Sequence, residues 1–299
     1  MTPDVTGHHD HGQHHGHSSH GGHDHSGHHG ADHDEDLAGL LDLDAKILKD
    51  YLVTLTAWVA ENAPEDTGTI IDVGAGTGTG SLALVRTFPA ATVHAVDQSP
   101  AMLERIAAAA SDHDSADRIQ PVHADLDEAW PELPAADLVW AASSLHEFAD
   151  PDRTLRDIHG ALAPGGLLAI IEMDALPRYL PEDLGIGRPG LEDRCHEVIA
   201  AQGWNHHPDW AGPLRDAGYD VVTQRRFDTA QDPAPEGTGD YAAAYLSRIR
   251  TFLKDHLDTQ DLATLDRLLD PQDEAGLRHR TDLKLSGTRT AWLARKADS

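Results

Sequence analysis

The feature that most constrains the fold is the stretch at residues 70–80, in which a short apolar run leads directly into a glycine-rich turn. Gly74, Gly76, Gly78 and Gly80 can adopt positive φ and bring the backbone close to a ligand. The amides at the start of the following helix would then face that ligand. The stretch therefore predicts a buried strand, a ligand-binding turn and a helix, which is typical of an open α/β sheet.

An acidic residue next to this turn argues against a phosphate as the ligand. Asp72 lies two residues before Gly74, and a carboxylate there suits a positively charged amino-acid group better than a pyrophosphate. The dinucleotide-binding fingerprint also expects Gly or Ala at the position of Thr79. The turn therefore indicates a ligand that carries a cationic group.

Four more strands are predicted after the first, and each is followed by polar residues. The predicted strands cover residues 92–97, 119–124, 137–141 and 167–173. Asp97 ends the second strand about 20 residues after the glycine turn, where a carboxylate can accept ribose hydroxyls. Because open α/β sheets bind ligands at the carboxyl ends of their strands, these residues are expected to share one site.

This order of motifs resembles the class I S-adenosylmethionine-dependent methyltransferase family of the small-molecule type. The likeness covers residues 70–173, and residues 214–227 and 288–295 resemble the last two strands of the family. The resemblance implies a Rossmann-like α/β fold, with a seven-stranded, mostly parallel sheet, helices on both faces, an antiparallel last strand and helical lid insertions. It implies S-adenosyl-L-methionine as cofactor and in-line transfer of its sulfonium methyl to a small molecule. No Asp/Asn-Pro-Pro-Tyr or Pro-Cys signature identifies the acceptor.

The resemblance also implies which residues bind the donor. The glycine turn with Asp72 would hold the methionine part, Asp97 the ribose hydroxyls, and Asp125 the adenine amino group. The full set of expected donor-binding residues is Asp72, Gly74, Ala75, Gly76, Thr77, Asp97, Gln98, Met102, Asp125, Leu126 and Ala141.

The candidate catalytic residues are His146 and Glu147, which follow the fourth strand. His146 is the first candidate for a general base, because an imidazole titrates near neutral pH. The alternative is that this histidine only shapes the pocket. The expected substrate-binding residues are Tyr51, His146, Glu172 and Arg178.

The first 36 residues differ in composition from the rest of the chain. Twelve histidines are interleaved with Gly, Ser and Asp, with almost no apolar residue, so this tail is expected to be disordered. Its imidazoles can bind Ni²⁺, Zn²⁺ or Cu²⁺ in several interchangeable sets, which predicts loose, non-catalytic metal binding. The candidate ligands are His8, His9, His11, His14, His15 and His17.

The remaining residues, 37–299, are interpreted as one methyltransferase domain. An N-terminal helix is expected over 37–66 and a donor-binding core over 67–174. Two insertions, 175–213 and 235–285, are expected to form the substrate site or a lid. They also offer helical surfaces for a homodimer.

The charge of the chain narrows its partners. Lys plus Arg number 23 against 51 Asp plus Glu, which gives a net charge of −28 and no basic track for nucleic acid. There is no apolar run of membrane length and no hydrophobic signal segment, so a cytoplasmic protein without a membrane partner is expected. The single Cys195 excludes an internal disulfide and fits a reducing compartment.

Two other functions stay open at this stage. One is an NAD-dependent oxidoreductase on a similar sheet, which Asp72, Thr79 and the short last strand at residues 289–294 disfavour. The other is a metal-handling protein in which the histidine tail acts and the methyltransferase domain is vestigial.

Overall fold

The computed structural model describes residues 26–203 and 207–296, with side chains from Glu35 onward. Within this part of the chain, one seven-stranded sheet runs through the molecule in the order β3-β2-β1-β4-β5-β7-β6. The strands are β1 Thr69–Val73, β2 Thr92–Asp97, β3 Ile119–His123, β4 Ala136–Ala142, β5 Leu162–Arg178, β6 Tyr219–Asp228 and β7 Ser286–Lys296.

The pairing of the strands confirms the predicted fold class. Strands β1 to β5 pair in parallel, whereas β7 inserts between β5 and β6 and runs antiparallel to both. The sequence order reverses at β1, where β2 and β4 lie on opposite sides of it. Such a switch point leaves a crevice at the carboxyl ends of the strands, where open α/β sheets bind ligands.

Helices cover both faces of the sheet, as predicted. One apolar core packs residues of α2, α3 and α4 against one face, and a second packs α5 and α7 against the other. The helices of the described chain are α1 Ser26–Ile47, α2 Lys49–Ala60, α3 Thr79–Thr87, α4 Pro100–Asp112, α5 Pro151–Ala161, α6 Leu191–Ala201, α7 Ala211–Asp216, α8 Thr238–Phe252 and α9 Thr259–Leu269.

The N-terminal region differs from the sequence prediction. Helix α1 covers Ser26–Ile47, part of which was expected to be disordered, and residues 1–25 lie outside the described chain. The single helix expected over 37–66 is instead two helices that meet at Leu48. The physical reason is tertiary, because Ile47 and Leu48 at this junction are buried in an apolar core with residues of α8.

The two insertions build a third apolar core from helices α6, α8 and α9. Arg194 of α6 donates to both carboxylate oxygens of Asp261 on α9, at 2.7 and 2.8 Å. Helix α8 also packs against α1, so the insertions and the N-terminus form one layer. Among the described residues, none of the helices combines the length and apolar character needed to span a membrane.

Candidate active site

A cavity of about 880 Å³ lies between the carboxyl ends of the strands and helices α1 and α8. All predicted donor-binding residues except Ala141 line it. The volume lies within the range of ligand pockets, which is roughly 300–1,000 Å³. The strand ends therefore meet at one site, as the sequence order indicated.

The position of Ala141 corrects one prediction. Its side chain is fully buried in the core under α5, whereas Trp140 and Ala142 line the cavity. Side chains alternate between the two faces of a strand, so residues 140 and 142 share a face that residue 141 does not. At this point of β4, Ala142 and not Ala141 lines the cavity.

The glycine turn is held against its neighbours by close packing. The Gly74 and Ala75 amides donate to the Val96 carbonyl of β2, at 2.9 and 3.0 Å. Gly74 has a φ of 67°, and a Cβ there would lie 2.6 Å from the Cβ of Ser144. Only glycine fits this position, because the left-handed conformation and the contact both exclude a side chain.

Asp72 is the buried carboxylate next to this turn. Its Oδ2 accepts a hydrogen bond of 2.7 Å from the Ser81 hydroxyl, at the start of α3. Burial raises the pKa of Asp72 to about 7, although the Ser81 hydrogen bond opposes the shift. A cation in the cavity would favour the ionised form, so Asp72 is suited to bind an ammonium group.

Asp97 joins the glycine turn to the start of α4. Its Oδ2 accepts from the Gly76 amide and its Oδ1 from the Ser99 amide, both at 2.9 Å. Each carboxylate oxygen has a second lone pair, and the residue lines the cavity. The ribose role implied by the resemblance is compatible with this geometry.

Residues after β3 form the next part of the wall. Asp125, Leu126 and Asp127 line the cavity, and the Asp127 amide donates to Asp125 Oδ1 at 2.9 Å. Arg153 of α5 donates to the Leu126 carbonyl at 2.7 Å and so fixes the loop. The predicted adenine contacts thus lie on an ordered turn beside Asp97.

His146 lies between two carboxylates on the loop after β4. Its Nδ1 lies 2.8 Å from Glu172 Oε2, and its Nε2 lies 3.1 Å from Glu147 Oε1. Burial lowers the pKa of His146, but the hydrogen bonds and charges of Glu147 and Glu172 outweigh burial and raise it to about 9. The raised pKa favours an imidazolium at neutral pH with both nitrogens engaged, an arrangement that favours a positioning role over that of a general base.

The predicted substrate-binding residues separate into two groups. Tyr51 and His146 line the cavity. Glu172 is fully buried behind His146. Arg178 does not line the cavity: its side chain is 45% exposed and pairs with Asp193 at 2.5 Å. The reason is that β5 continues to residue 178 and carries this arginine beyond the strand ends.

Sequence reasoning missed the residues that α8 and β7 contribute. Arg289 of β7 donates to Asp44 of α1 at 2.6 Å, and its guanidinium lies 5.1 Å from the Tyr51 ring. Tyr241 of α8 donates to the same Asp44 oxygen at 2.5 Å. A signal was present in α8, where the cavity residues Tyr241, Tyr245, Arg248 and Phe252 recur every three or four positions and share one helical face.

The described residues contain no group of three or more His, Cys, Asp or Glu side chains arranged to hold a metal ion. The predicted tail ligands, residues 8–17, lie outside the described chain. Loose metal binding by the tail therefore stays a prediction.

The segment that forms the strand side of this cavity is similar to known proteins. Residues 71–168 match a family model described as a methyltransferase domain. The chain is 34% identical over 143 residues to trans-aconitate 2-methyltransferase of Pseudomonas aeruginosa, which is 42% of this chain and 48% of that enzyme. It is 35% identical over 135 residues to malonyl-[acyl-carrier protein] O-methyltransferase of Hahella chejuensis, 44% of each chain. The chain thus spans about half the length of these relatives.

A solved structure of a Bacillus halodurans C-125 protein, described as a candidate methyltransferase, has a similar fold. The TM-score is 0.52 at 18% sequence identity, over 82% of this chain and 99% of that one. At this identity the likeness establishes the fold alone.

Proposed function

Because residues 71–168 carry a methyltransferase domain of the class I S-adenosylmethionine-dependent family, we propose that the protein methylates a small-molecule acceptor with S-adenosyl-L-methionine as donor. One observation carries the proposal. A single cavity is lined by the glycine turn, by Asp72 and Asp97, and on its other side by helices α1 and α8.

The residues on the strand side fit the donor. Asp72 is a buried carboxylate that faces the cavity. The ammonium group of the donor would favour the ionised form of this carboxylate and balance its charge. Asp97 lines the same cavity beside the glycine turn, and the ribose hydroxyls are assigned to it by the resemblance. A Cβ at Gly76 would lie 3.0 Å from Cδ1 of Leu41, so α1 packs directly against the glycine turn.

When bound, the donor supplies an electrophilic methyl group on a sulfonium centre. The residues of this chain hold and orient the two reactants and exclude water between α1, α8 and the sheet edge. Orientation alone removes ~7–11 kcal/mol of the barrier in favourable cases. In this proposal His146, whose ring nitrogens lie 3.1 Å from Glu147 and 2.8 Å from Glu172, positions the loop after β4 and is not required to remove a proton.

The names of the two relatives suggest which acceptors to test first. Trans-aconitate is a tricarboxylic acid, and a malonyl group ends in a free carboxylate. Both acceptors offer an oxygen that is already deprotonated at neutral pH. This chemistry is compatible with a site in which the nearest histidine is not a base.

The two alternatives receive less support. A dinucleotide-binding oxidoreductase sheet has the order 3-2-1-4-5-6, whereas here the antiparallel β7 lies between β5 and β6. A metal-handling role rests only on residues outside the described chain. The net charge of −28 also argues against a nucleic-acid acceptor.

The test is transfer of a labelled methyl group. The protein is incubated with S-[methyl-³H]adenosylmethionine and a small-molecule extract of cells, and label in the non-protein, non-donor fraction is measured. We expect time-dependent incorporation that stops on addition of S-adenosylhomocysteine. No incorporation above a heat-inactivated control, together with NAD-dependent oxidation of the same extract, would favour the oxidoreductase instead.

A further inference from the structure

Two buried polar atoms of cavity-lining residues have no hydrogen-bond partner within the described chain. They are Nη1 of Arg248 and the Tyr51 hydroxyl, which the Arg289 guanidinium approaches without offering an acceptor for its O–H. Buried polar groups in folded proteins are almost always paired, so each such atom requires an explanation. Both atoms are hydrogen-bond donors, and an acceptor atom of a bound ligand would satisfy them.

The two arginines that line the cavity differ in whether a carboxylate pairs with the guanidinium. Arg289 is neutralised by Asp44, at 2.6 Å. Nη1 of Arg248 is buried and has no hydrogen-bond partner among the described residues. Arg248 lies close enough to Glu147 to lower the pKa of that carboxyl through its charge, but Glu147 already bonds to His146. A positive charge therefore remains available in the cavity.

Arg248 lies on the side of the cavity that α8 forms, opposite the strand ends. We call this the acceptor side, because the methyl acceptor would bind there. This arginine lies on α8, between Tyr245 and Phe252, and this helix belongs to the insertion that follows the donor-binding core. Its electrostatic contact with Glu147 brings it near the loop after β4. The residues predicted to bind the donor lie on the strand side instead.

The surrounding groups also limit what the acceptor atom can be. His146 is engaged at both ring nitrogens, so no free imidazole stands at this loop to remove a proton. An acceptor atom that already carries its lone pair at neutral pH needs no such base. A carboxylate oxygen meets this condition, and a guanidinium is the side chain best suited to bind it.

We propose that Arg248, assisted by the Tyr51 hydroxyl, binds the carboxylate of the methyl acceptor, which makes small carboxylic acids the substrate class. The inference rests on the proposed function. In the reaction, a carboxylate oxygen forms a bond to the methyl carbon as the carbon–sulfur bond breaks. The electron pair of that bond stays on sulfur, which becomes a neutral thioether, and no proton is released. The neutral ester no longer pairs with Arg248, so the product is held less tightly than the substrate.

The first experiment identifies the bond that is formed. Labelled product from the methyl-transfer assay is treated with mild alkali, and released volatile methanol is measured. A methyl ester is alkali-labile, whereas methyl ethers, methylamines and carbon-linked methyl groups are stable. Alkali-labile label is expected. Alkali-stable label would overturn this inference while leaving the proposed function intact, and an absence of any label would count against the proposed function itself.

The second experiment tests Arg248 with the carboxylic acid that the first identifies. Arg248→Gln is expected to raise the KM for that acid by about 10- to 150-fold, the range for a hydrogen bond to a charged group. Arg248→Lys should recover part of the loss. The matched control is Arg250→Gln on the same helix, where the arginine pairs with Asp266 at 2.7 Å instead of facing the cavity.

Binding of S-adenosylhomocysteine to the same variants is the readout that separates acceptor from donor. We expect its affinity to be the same in Arg248→Gln, Arg250→Gln and the unaltered protein. An unchanged KM in Arg248→Gln would overturn the inference. Weaker S-adenosylhomocysteine binding in that variant alone would overturn it too, because Arg248 would then bind the carboxylate of the donor.

Discussion

The cluster of His146 with Glu147 and Glu172 leads to a prediction about stability at alkaline pH. The pKa of His146 rises from 6.5 to about 9 in the folded protein because two carboxylates bond to its ring. A group whose folded pKa is raised contributes stability that is complete below its unfolded pKa and is lost as the pH rises through its folded pKa. The stabilisation by His146 should therefore be complete at pH 6 and lost near pH 9.

The magnitude follows from the size of the shift. At 1.36 kcal/mol per pKa unit, a shift from 6.5 to about 9 corresponds to ~3 kcal/mol of stability. The Glu147 side chain is 72% exposed and is screened by solvent, so its share is reduced. The buried Glu172 contact is not screened in this way. We therefore expect a loss of ~2 kcal/mol between pH 6.5 and 9.5.

The assay is urea unfolding at half-unit steps from pH 6 to pH 9.5, for the unaltered protein and for His146→Gln. Groups that do not contact His146 affect both proteins equally, so the difference between the free energies of unfolding reports on His146 and the two carboxylates bonded to it. We expect this difference to shrink by ~2 kcal/mol across the range. If the two curves run parallel from pH 6.5 to 9.5, folding does not raise the pKa of His146, and the general-base role would again have to be considered.

Three further predictions concern the donor site and the N-terminus. Asp97→Ala should weaken donor binding by ~2–3 kcal/mol, as loss of hydrogen bonds to a charged group does, and calorimetry showing unchanged affinity would exclude the ribose role. Since the pKa of Asp72 is about 7, donor affinity should fall as the pH is lowered from 8 to 5.5. The Asp72→Asn variant should bind the donor weakly and without this pH dependence. A steep pH dependence in that variant would mean that another group titrates. A chain shortened to begin at Ser26 should keep its thermal transition and donor affinity but lose high-capacity Ni²⁺ binding. A chain shortened past Leu48 should lose donor affinity, because α1 lines the cavity. Equal donor affinity of the two shortened chains would contradict the role of α1.

The donor side of the site was predictable from sequence because local patterns determine it. The strand at 92–97 was predicted at its observed bounds, and the glycine turn lies where the apolar run ends. A strand end and a tight turn depend on the residues within them, so their positions can be inferred without knowledge of distant contacts. The parallel arrangement then brings Asp72, Asp97 and Asp125 to one edge of the sheet.

The acceptor side was not predictable because distant contacts create it. Asp44, Tyr241 and Arg289 are far apart in the chain, and they meet only when α1, α8 and β7 pack together. The same holds for His146, whose protonation depends on Glu172 from another strand. The pattern of α8 indicates an amphipathic helix, but the sequence alone does not show which face of this helix lines a cavity.

Calorimetric titration of S-adenosylhomocysteine into the full chain at pH 8, with NAD titrated in a parallel experiment, tests the central claim most directly. One equivalent of S-adenosylhomocysteine should bind per chain, and Asp97→Ala should bind it more weakly. NAD should give no saturable heat. Saturable binding of NAD with no binding of S-adenosylhomocysteine would contradict the assignment of this cavity to a methyl donor.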